Sequence, residues 1–531
     1  MQAQQADLEF ARSEYVTKSP VFSEASRQRA TAFIRRMQAR REPASREQFL
    51  LAAMRIAALA NNAHDQVYIG DGWRPASRLP LHLIWFADGL IVARTAAEHQ
   101  ELLGARVERI EGLRPDELSR RLLPYCGGTV PYLRWNRVWL IETAGLLHTL
   151  GVARSPDRLR LSLALRDGRK VDRSLPFVSS TEVPLATPPR LWSPEATGAE
   201  RRRNWRALHF SGSDPLYLQQ PDEPFRMLPV PEALALYVQF RANSTADAMG
   251  VDIAPFVDQV RQAIEQRTPH NLILDLRFDI GGDIDQTREL ARVMAAHVPG
   301  RIYVLIGPYT FSAGIVFAAS VKHDGGHRVV LVGDDVGDRL QWWSEAKQLC
   351  MPNSGYCFHA SSGYWDLQHG CGGKPACYGD AYDARVASLS PDIAAPLTAA
   401  DWLAGRDAGM EAVTAALTAQ ARAVPANHVD DRNARARRFR KKPRRARNLL
   451  KGVAKGGIEP PTHGFSAGLL NWQHFSIKLL RHTPRFKSSR AIRRKGAQKR
   501  QQATKSQRSD AGFRLWKIGI RPDGQCPIGS G

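Results

Sequence analysis

Between Asn271 and Gly333 the chain alternates short runs of apolar, β-branched residues with longer stretches whose apolar positions recur every three or four residues. NLILDL, RIYVLI and RVVLVG read as strands buried on both faces, while TRELARVMAAH and AGIVFAASVKH read as helices. Strands and helices alternating at these lengths imply β-α-β-α-β units, hence a parallel sheet covered by helices. Two tight turns interrupt the pattern at strand ends: Gly281-Gly282 after the first strand, and Thr310-Phe311-Ser312-Ala313-Gly314 after the second. In open α/β sheets, ligands and reacting groups gather at the carboxyl ends of strands, so chemistry is expected at these turns.

The flanks carry different patterns. Up to about residue 62, SRQRATAFIRRMQARR and REQFLLAAMRIAALANN show helical spacing, and the second run ends at Asn61-Asn62 before Ala63-His64-Asp65 and a strand-like QVYIGD. His64 is therefore expected on a loop of defined position, as a surface or helix-capping residue unless some chemistry claims it. From about 78 to 178 short strands dominate, with hairpins at Asp88-Gly89 and Asp167-Gly168 and a helical stretch at YLRWNRVWLIETAGLLHTLGV. The Pro-rich VPLATPPRLWSPEATGAERRR reads as a linker. The expected organisation is a helical region over 1–75, an α+β module over 76–180, a linker over 181–204, an α/β domain over 205–424 and a basic tail over 425–531.

Composition changes this picture in two places. The 531 residues carry a formal charge of +23, which would ordinarily suggest a nucleic-acid or membrane partner. Yet 27 of the 75 Lys and Arg, and only 5 of the 52 Asp and Glu, lie from Val429 onward, so the region before it is nearly neutral. The basicity belongs to the tail, and no specific nucleic acid is expected as a partner of the folded part. No apolar run is long enough to cross a membrane, and MQAQQADLEF lacks the basic and apolar regions of a signal peptide. The cysteines point the other way. Cys350, Cys357, Cys371 and Cys377 fall in one Gly-, Ser- and Asn-rich loop without any C-x2-C pair. Irregular spacing suits two disulfides better than a metal, and disulfides imply an oxidising, periplasmic or secreted setting that a leader missing from this sequence would reconcile. His323, His327, His359 and His369 are scattered without ligand spacing and read as solvated loop histidines, so no metal or other cofactor is expected.

Four motifs occur in a fixed order over roughly residues 205–420: L-I-L-D-L-R-x-x-x-G-G, T-F-S-A-G, V-x-L-V-G-D, and S-P-D-I followed by T-x-x-D-W-x-x-G-x-D-x-x-x-E-A. Together they resemble the C-terminal-processing, tail-specific and tricorn-like serine peptidases. The resemblance implies a ClpP/crotonase-like parallel core with an inserted PDZ-like module, to which Gly104, Val107, Ile110 and Gly112 would belong, although the glycine-rich carboxylate-binding loop of such modules is not recognisable. It also implies a protein or peptide substrate. Ser312, at the turn from strand to helix, would be the nucleophile, the alternative being a simple helix N-cap. Backbone N–H groups of Gly282 and Ala313 would form the oxyanion hole.

The lysine that serves as base in one branch of these peptidases is missing: GDDVGDRLQWWSEA contains none before Lys347, and Arg339 cannot deprotonate. The tricorn-like branch instead uses a histidine ahead of the PDZ-like module, the place His64 occupies. Glu345 would then orient the imidazole, with Asp383 as the alternative acid, because the glutamate these peptidases carry shortly before P-D-I is absent. A second expectation follows from that departure: a degraded site on the same fold, acting as a peptide-binding or scaffold protein. The tail segment AKGGIEPPTHGFSAG resembles the translated complement of a transfer-RNA gene, and the Arg-, Lys-, Gln- and Ser-rich sequence around it lacks the apolar content for a core, so the tail is read as spurious and disordered.

Overall fold

The computed structural model describes residues 1–69, 77–184, 190–208, 210, 214–243, 251–374, 376–378, 382 and 384–423. The basic tail beyond residue 423 and Asp383 lie outside the described residues.

Along the chain come helices α1 (Gln2–Phe10), α2 (Glu24–Gln38) and α3 (Arg46–Ala58), then a short strand β1 (Val67–Ile69). Ser45 and Gln48 close a reciprocal capping box at the start of α3, satisfying two backbone donors that a helix start leaves open. Five antiparallel strands follow: β2 (Leu81–Phe86), β3 (Gly89–Ala96), β4 (Arg106–Ile110), β5 (Arg158–Ala164) and β6 (Lys170–Pro176), paired in that order. Trp205–Ala207 adds to β3 as a sixth. Helix α4 (Pro115–Leu122) packs against β4. The long helical stretch expected after it is broken into Val130–Asn136, a 3-10 turn at Val138–Leu140 and Ala144–Thr149. The expected linker is packed: Trp192 is buried, and the buried Arg94 donates to the carbonyls of Arg190 and Ser193.

The second half builds the parallel sheet that the hydrophobic pattern predicts. Its elements are β7 (Phe225–Val230), β8 (Ala235–Phe240), α5 (Ile253–Arg267), β9 (Asn271–Asp275), α6 (Arg288–His297), β10 (Ile302–Ile306), α7 (Ala313–Gly325), β11 (Val329–Gly333) and, beyond an excursion, β16 (Ile393–Ala394) and α8 (Ala408–Ala423). The order is β7-β8-β9-β10-β11-β16, with β7 antiparallel to β8 and every other pair parallel. Alternate residues serve opposite faces. Leu272, Leu274, Ile302, Val304 and Leu331 pack with Val260, Met294, Ile315 and Phe317 of α5–α7, while Tyr237, Ile273, Tyr303 and Leu305 pack with Val413 of α8. Apolar packing on both faces explains why these strands read as unbroken apolar runs.

The excursion between β11 and β16 carries the four clustered cysteines. It is not a bare surface loop: it folds into β12 (Gln341–Ser344), β13 (Lys347–Cys350), β14 (Tyr356–Ala360) and β15 (Gly363–Asp366), with β12 paired to β15 and β13 to β14. Cys350–Cys357 and Cys371–Cys377 are disulfides, and Cys126 is free and buried. Strand β1 adds to β14 (Val67 opposite Phe358), so the residues after His64 are sheet partners of a hairpin almost three hundred positions downstream. No described helix is long and apolar enough to cross a membrane.

Candidate active site

Ser312 occupies the N-cap position of α7 but does not act as a cap: its hydroxyl makes no capping bond, and its backbone lies at φ 52°, ψ −124°. A non-glycine residue at positive φ costs about 1–3 kcal/mol and persists only where its surroundings enforce it. Here the enforcement is close packing against the Gly281-Gly282 turn. A Cβ on Gly281 would fall 2.6 Å from Ser312 Cβ and 2.9 Å from Ala313 N, and Gly281 itself has φ 100°. Glycine is the residue that fits there. Asp279 fastens the two turns together, its carbonyl accepting from Phe311 N–H at 2.9 Å and its Oδ1 from Gly281 N–H at 3.0 Å. Among the described residues no acceptor takes the N–H of Gly282 or of Ala313, the first residue of α7, whose dipole favours negative charge at this end.

His64 is not a surface or capping residue. It is 2% exposed, and its ring stacks on Phe311, the neighbour of Ser312, with centroids 4.6 Å apart and planes at 20°. Neither ring nitrogen has a hydrogen-bond partner among the described residues. The loop that carries it is pinned from several sides. Asn62 donates to Trp343 O at 2.8 Å and to Asp65 Oδ2 at 2.6 Å, and a Cβ on Gly127 would collide with Asn62 O at 2.2 Å. Burial, with a smaller contribution from His359, pushes the His64 imidazole down to about 3, so it is neutral at any ordinary pH. It therefore has a free lone pair, on a ring stacked against the residue next to Ser312, and makes no hydrogen bond to Ser312.

Glu345 lies not within a strand but at the bend between β12 and β13, at φ 55°. Its Oε1 accepts from the Ser344 hydroxyl at 3.1 Å, and that hydroxyl accepts from Trp365 Nε1 at 2.9 Å. Burial raises its carboxyl, helped by Asp283 and Asp285 nearby. An aromatic row separates it from the imidazole: Trp342 stacks 6.4 Å from His64 and 5.9 Å from Trp365. Ser312, Ala313, Gly282 and His64 thus gather around one turn, while Glu345 makes no hydrogen bond to His64.

Two residues escaped the sequence reading. His359, taken there as a solvated loop residue, sits in β14 at 4% exposure, because its backbone N–H bonds Gln66 O and draws it under the His64 loop; neither ring nitrogen has a hydrogen-bond partner among the described residues. The other three differ among themselves: His323 is exposed on α7, and His327 and His369 are exposed in turns. Asp279 was an unassigned position inside the glycine motif. The period-2 alternation that would have placed His359 in a strand is hidden by the cysteines and glycines around it. Among the described residues no group of His, Cys, Asp and Glu is placed to hold a metal.

No protein-family model matches the chain, and no curated protein matches it. Solved structures do. The crystal structure of a serine-to-alanine mutant of CPAF matches with a TM-score of 0.51 at 11% identity, covering 78% of this chain and 96% of that one. Mature CPAF with lactacystin matches with a TM-score of 0.48 at 14% identity, over 78% and 97% of the two chains. A photosystem II D1 C-terminal processing protease matches with a TM-score of 0.35 at 13% identity, over 74% and 93%. At such identities the likeness is one of fold, and the chain has the CPAF fold over nearly the whole length of that protein.

Proposed function

We propose that the chain is a serine-type endopeptidase of the C-terminal-processing, tricorn-like class, acting on proteins or peptides. Ser312 attacks the peptide carbonyl and His64 takes its proton; the Gly282 and Ala313 N–H groups receive the oxyanion, and Glu345 orients the imidazole. The observation that carries this reading is Ser312 itself, held at positive φ at a helix start, its hydroxyl and the buried His64 ring that stacks on its neighbour Phe311 both without a hydrogen-bond partner among the described residues. A helix cap needs no such strain. The CPAF fold, shared with the serine-to-alanine mutant of that protein, supports a peptidase scaffold. The two disulfides support function in an oxidising compartment, periplasmic or extracellular.

One observation favours the alternative of a catalytically degraded, peptide-binding protein: neither the Ser–His nor the His–Glu hydrogen bond is formed. Catalytic contacts often tighten only when substrate binds, so the peptidase reading keeps precedence. Hydrolysis of an unstructured protein by the full chain, blocked by a fluorophosphonate and absent in Ser312→Ala, tests it. A folded wild-type chain that binds such peptides without cutting them establishes the alternative.

A further inference from the structure

Asp279 has no part in the triad chemistry, yet it is wholly buried between the two turns that would perform it. Its Oδ1 receives Gly281 N–H and its carbonyl receives Phe311 N–H, so one residue ties the oxyanion turn to the nucleophile turn. Gly314, in the first turn of α7, completes the enclosure: a Cβ there would lie 2.5 Å from Asp279 O and 3.0 Å from Asp279 Cγ. Asp279 Oδ2 has no hydrogen-bond partner among the described residues. A buried, ionised oxygen left unpaired is expensive, whereas a neutral carboxylic acid loses far less. We propose that Asp279 is the positioning residue of the oxyanion turn, and that it serves as a neutral acid whose ionisation impairs the site.

The reason is electrostatic. Once ionised, Asp279 would place a negative charge against the backbone of Gly281, one residue from the donor that must receive a second negative charge as the oxyanion forms. In a site this dry the repulsion is poorly screened. The protonated acid keeps the Gly281 bond without that charge. Burial pushes the Asp279 carboxyl up to about 7, opposed only by the Gly281 N–H, so the transition falls in an accessible range. Other titratable groups near the turns act elsewhere: Asp283 and Asp285 bear on Glu345, and His64 faces Phe311 and titrates far lower, at about 3. Two further buried carboxyls titrate near neutrality, Asp338 at about 7, next to the Gly337 whose N–H bonds Thr310 O, and Asp65 at about 6, next to His64, so the part of a pH effect assignable to Asp279 is the part that Asp279→Asn removes.

The proposal rests on the peptidase reading and is tested on the full chain. A fluorophosphonate probe forms a phosphorus–oxygen bond to Ser312 Oγ, expels fluoride, and passes through a state with negative charge on the phosphoryl oxygen. The wild-type labelling rate is expected to fall about tenfold between pH 6 and 8.5. Asp279→Asn keeps an acceptor for Gly281 N–H but cannot ionise, and its rate should stay flat over the same range, so that it overtakes the wild type at high pH. Asp279→Ser, smaller and also non-titrating, serves if the amide does not fold; if neither variant folds, a wild-type fall that persists in Asp338→Asn and in Asp65→Asn supports the proposal, and one that disappears in either overturns it. A wild-type rate that holds or rises from pH 6 to 8.5, or Asn and wild-type profiles that run parallel, overturns the proposal and leaves the peptidase reading intact. Absence of Ser312 labelling at every pH in folded wild-type and variant protein overturns the peptidase reading and this proposal together.

Discussion

The Ser312 turn and the His64 loop are both buried, tightly held and a single aromatic ring apart, yet they are finished to different degrees. On the serine side every piece serves the geometry. Gly281 lets two turns approach to contact, Asp279 fastens them, and the strain at Ser312 is held in place by what surrounds it. On the histidine side the loop is pinned by Asn62 and by β1 pairing with β14, but the imidazole it carries hydrogen-bonds to nothing among the described residues, and Glu345 is engaged with Ser344. Two orphaned ring nitrogens, each costing about 1–3 kcal/mol, are a poor choice for stability alone. On the proposed peptidase reading, the contrast teaches that the geometry around Ser312 is built into the fold, whereas a proton relay through His64 would have to be completed when substrate arrives.

That contrast can be broken most sharply at its ends. Replacing Ser312 by Ala should abolish hydrolysis, a loss of ~10⁴-fold or more in turnover, while His64→Ala should cost about 10²- to 10⁴-fold, the usual worth of a general base. Turnover by the two variants on an unstructured substrate measures both; equal activity of His64→Ala and wild type removes the histidine from the mechanism. Gly281→Ala comes next. Its Cβ must push Ser312 away, so hydrolysis should fall by about two orders of magnitude and unfolding free energy by about 1–3 kcal/mol, read by denaturant titration. Glu345→Gln should have a smaller effect, about 10- to 100-fold in turnover, because its contact with His64 must first be made at the expense of Ser344. No change in that variant places the orienting acid elsewhere.

The smallest effect concerns pH. His64 is depressed to about 3 and His359 to about 4 in the folded protein, against ordinary values near 6.5. Between these limits the unfolded chain binds protons that the folded one excludes, so stability is fully present above about pH 6.5 and is lost as pH falls toward 3 to 4. The raised carboxyls of Asp65, Asp279 and Asp338 act in the opposite sense over this range, so the histidine contribution is read as a difference: His64→Phe, which also fills the space against Phe311, should lose less melting temperature on acidification than the wild type. Identical acid dependence in that variant would show that the imidazole is not held neutral.

How much of this was legible depended on sequence distance. The parallel sheet could be read because strands buried on both faces write unbroken apolar runs, and the glycine and serine turns could be read because their residue types are demanded by backbone geometry. The fold of the cysteine region could not: β12–β15 are short, half-polar strands whose partners lie far away in the chain, and nothing local announces that β1 will join β14. For the same reason His64 could be nominated but not positioned, and Glu345 could be nominated but not excluded from contact with it. Asp279 was overlooked because its importance lies in an unpaired oxygen, a property that exists only once the two turns are packed.

The most direct test of the account is the site and rate of fluorophosphonate modification, mapped by mass spectrometry on the full chain. The account predicts a single adduct on Ser312, formed at least a hundredfold more slowly in His64→Ala than in the wild type. An adduct elsewhere, or one on Ser312 that forms equally fast without His64, contradicts it.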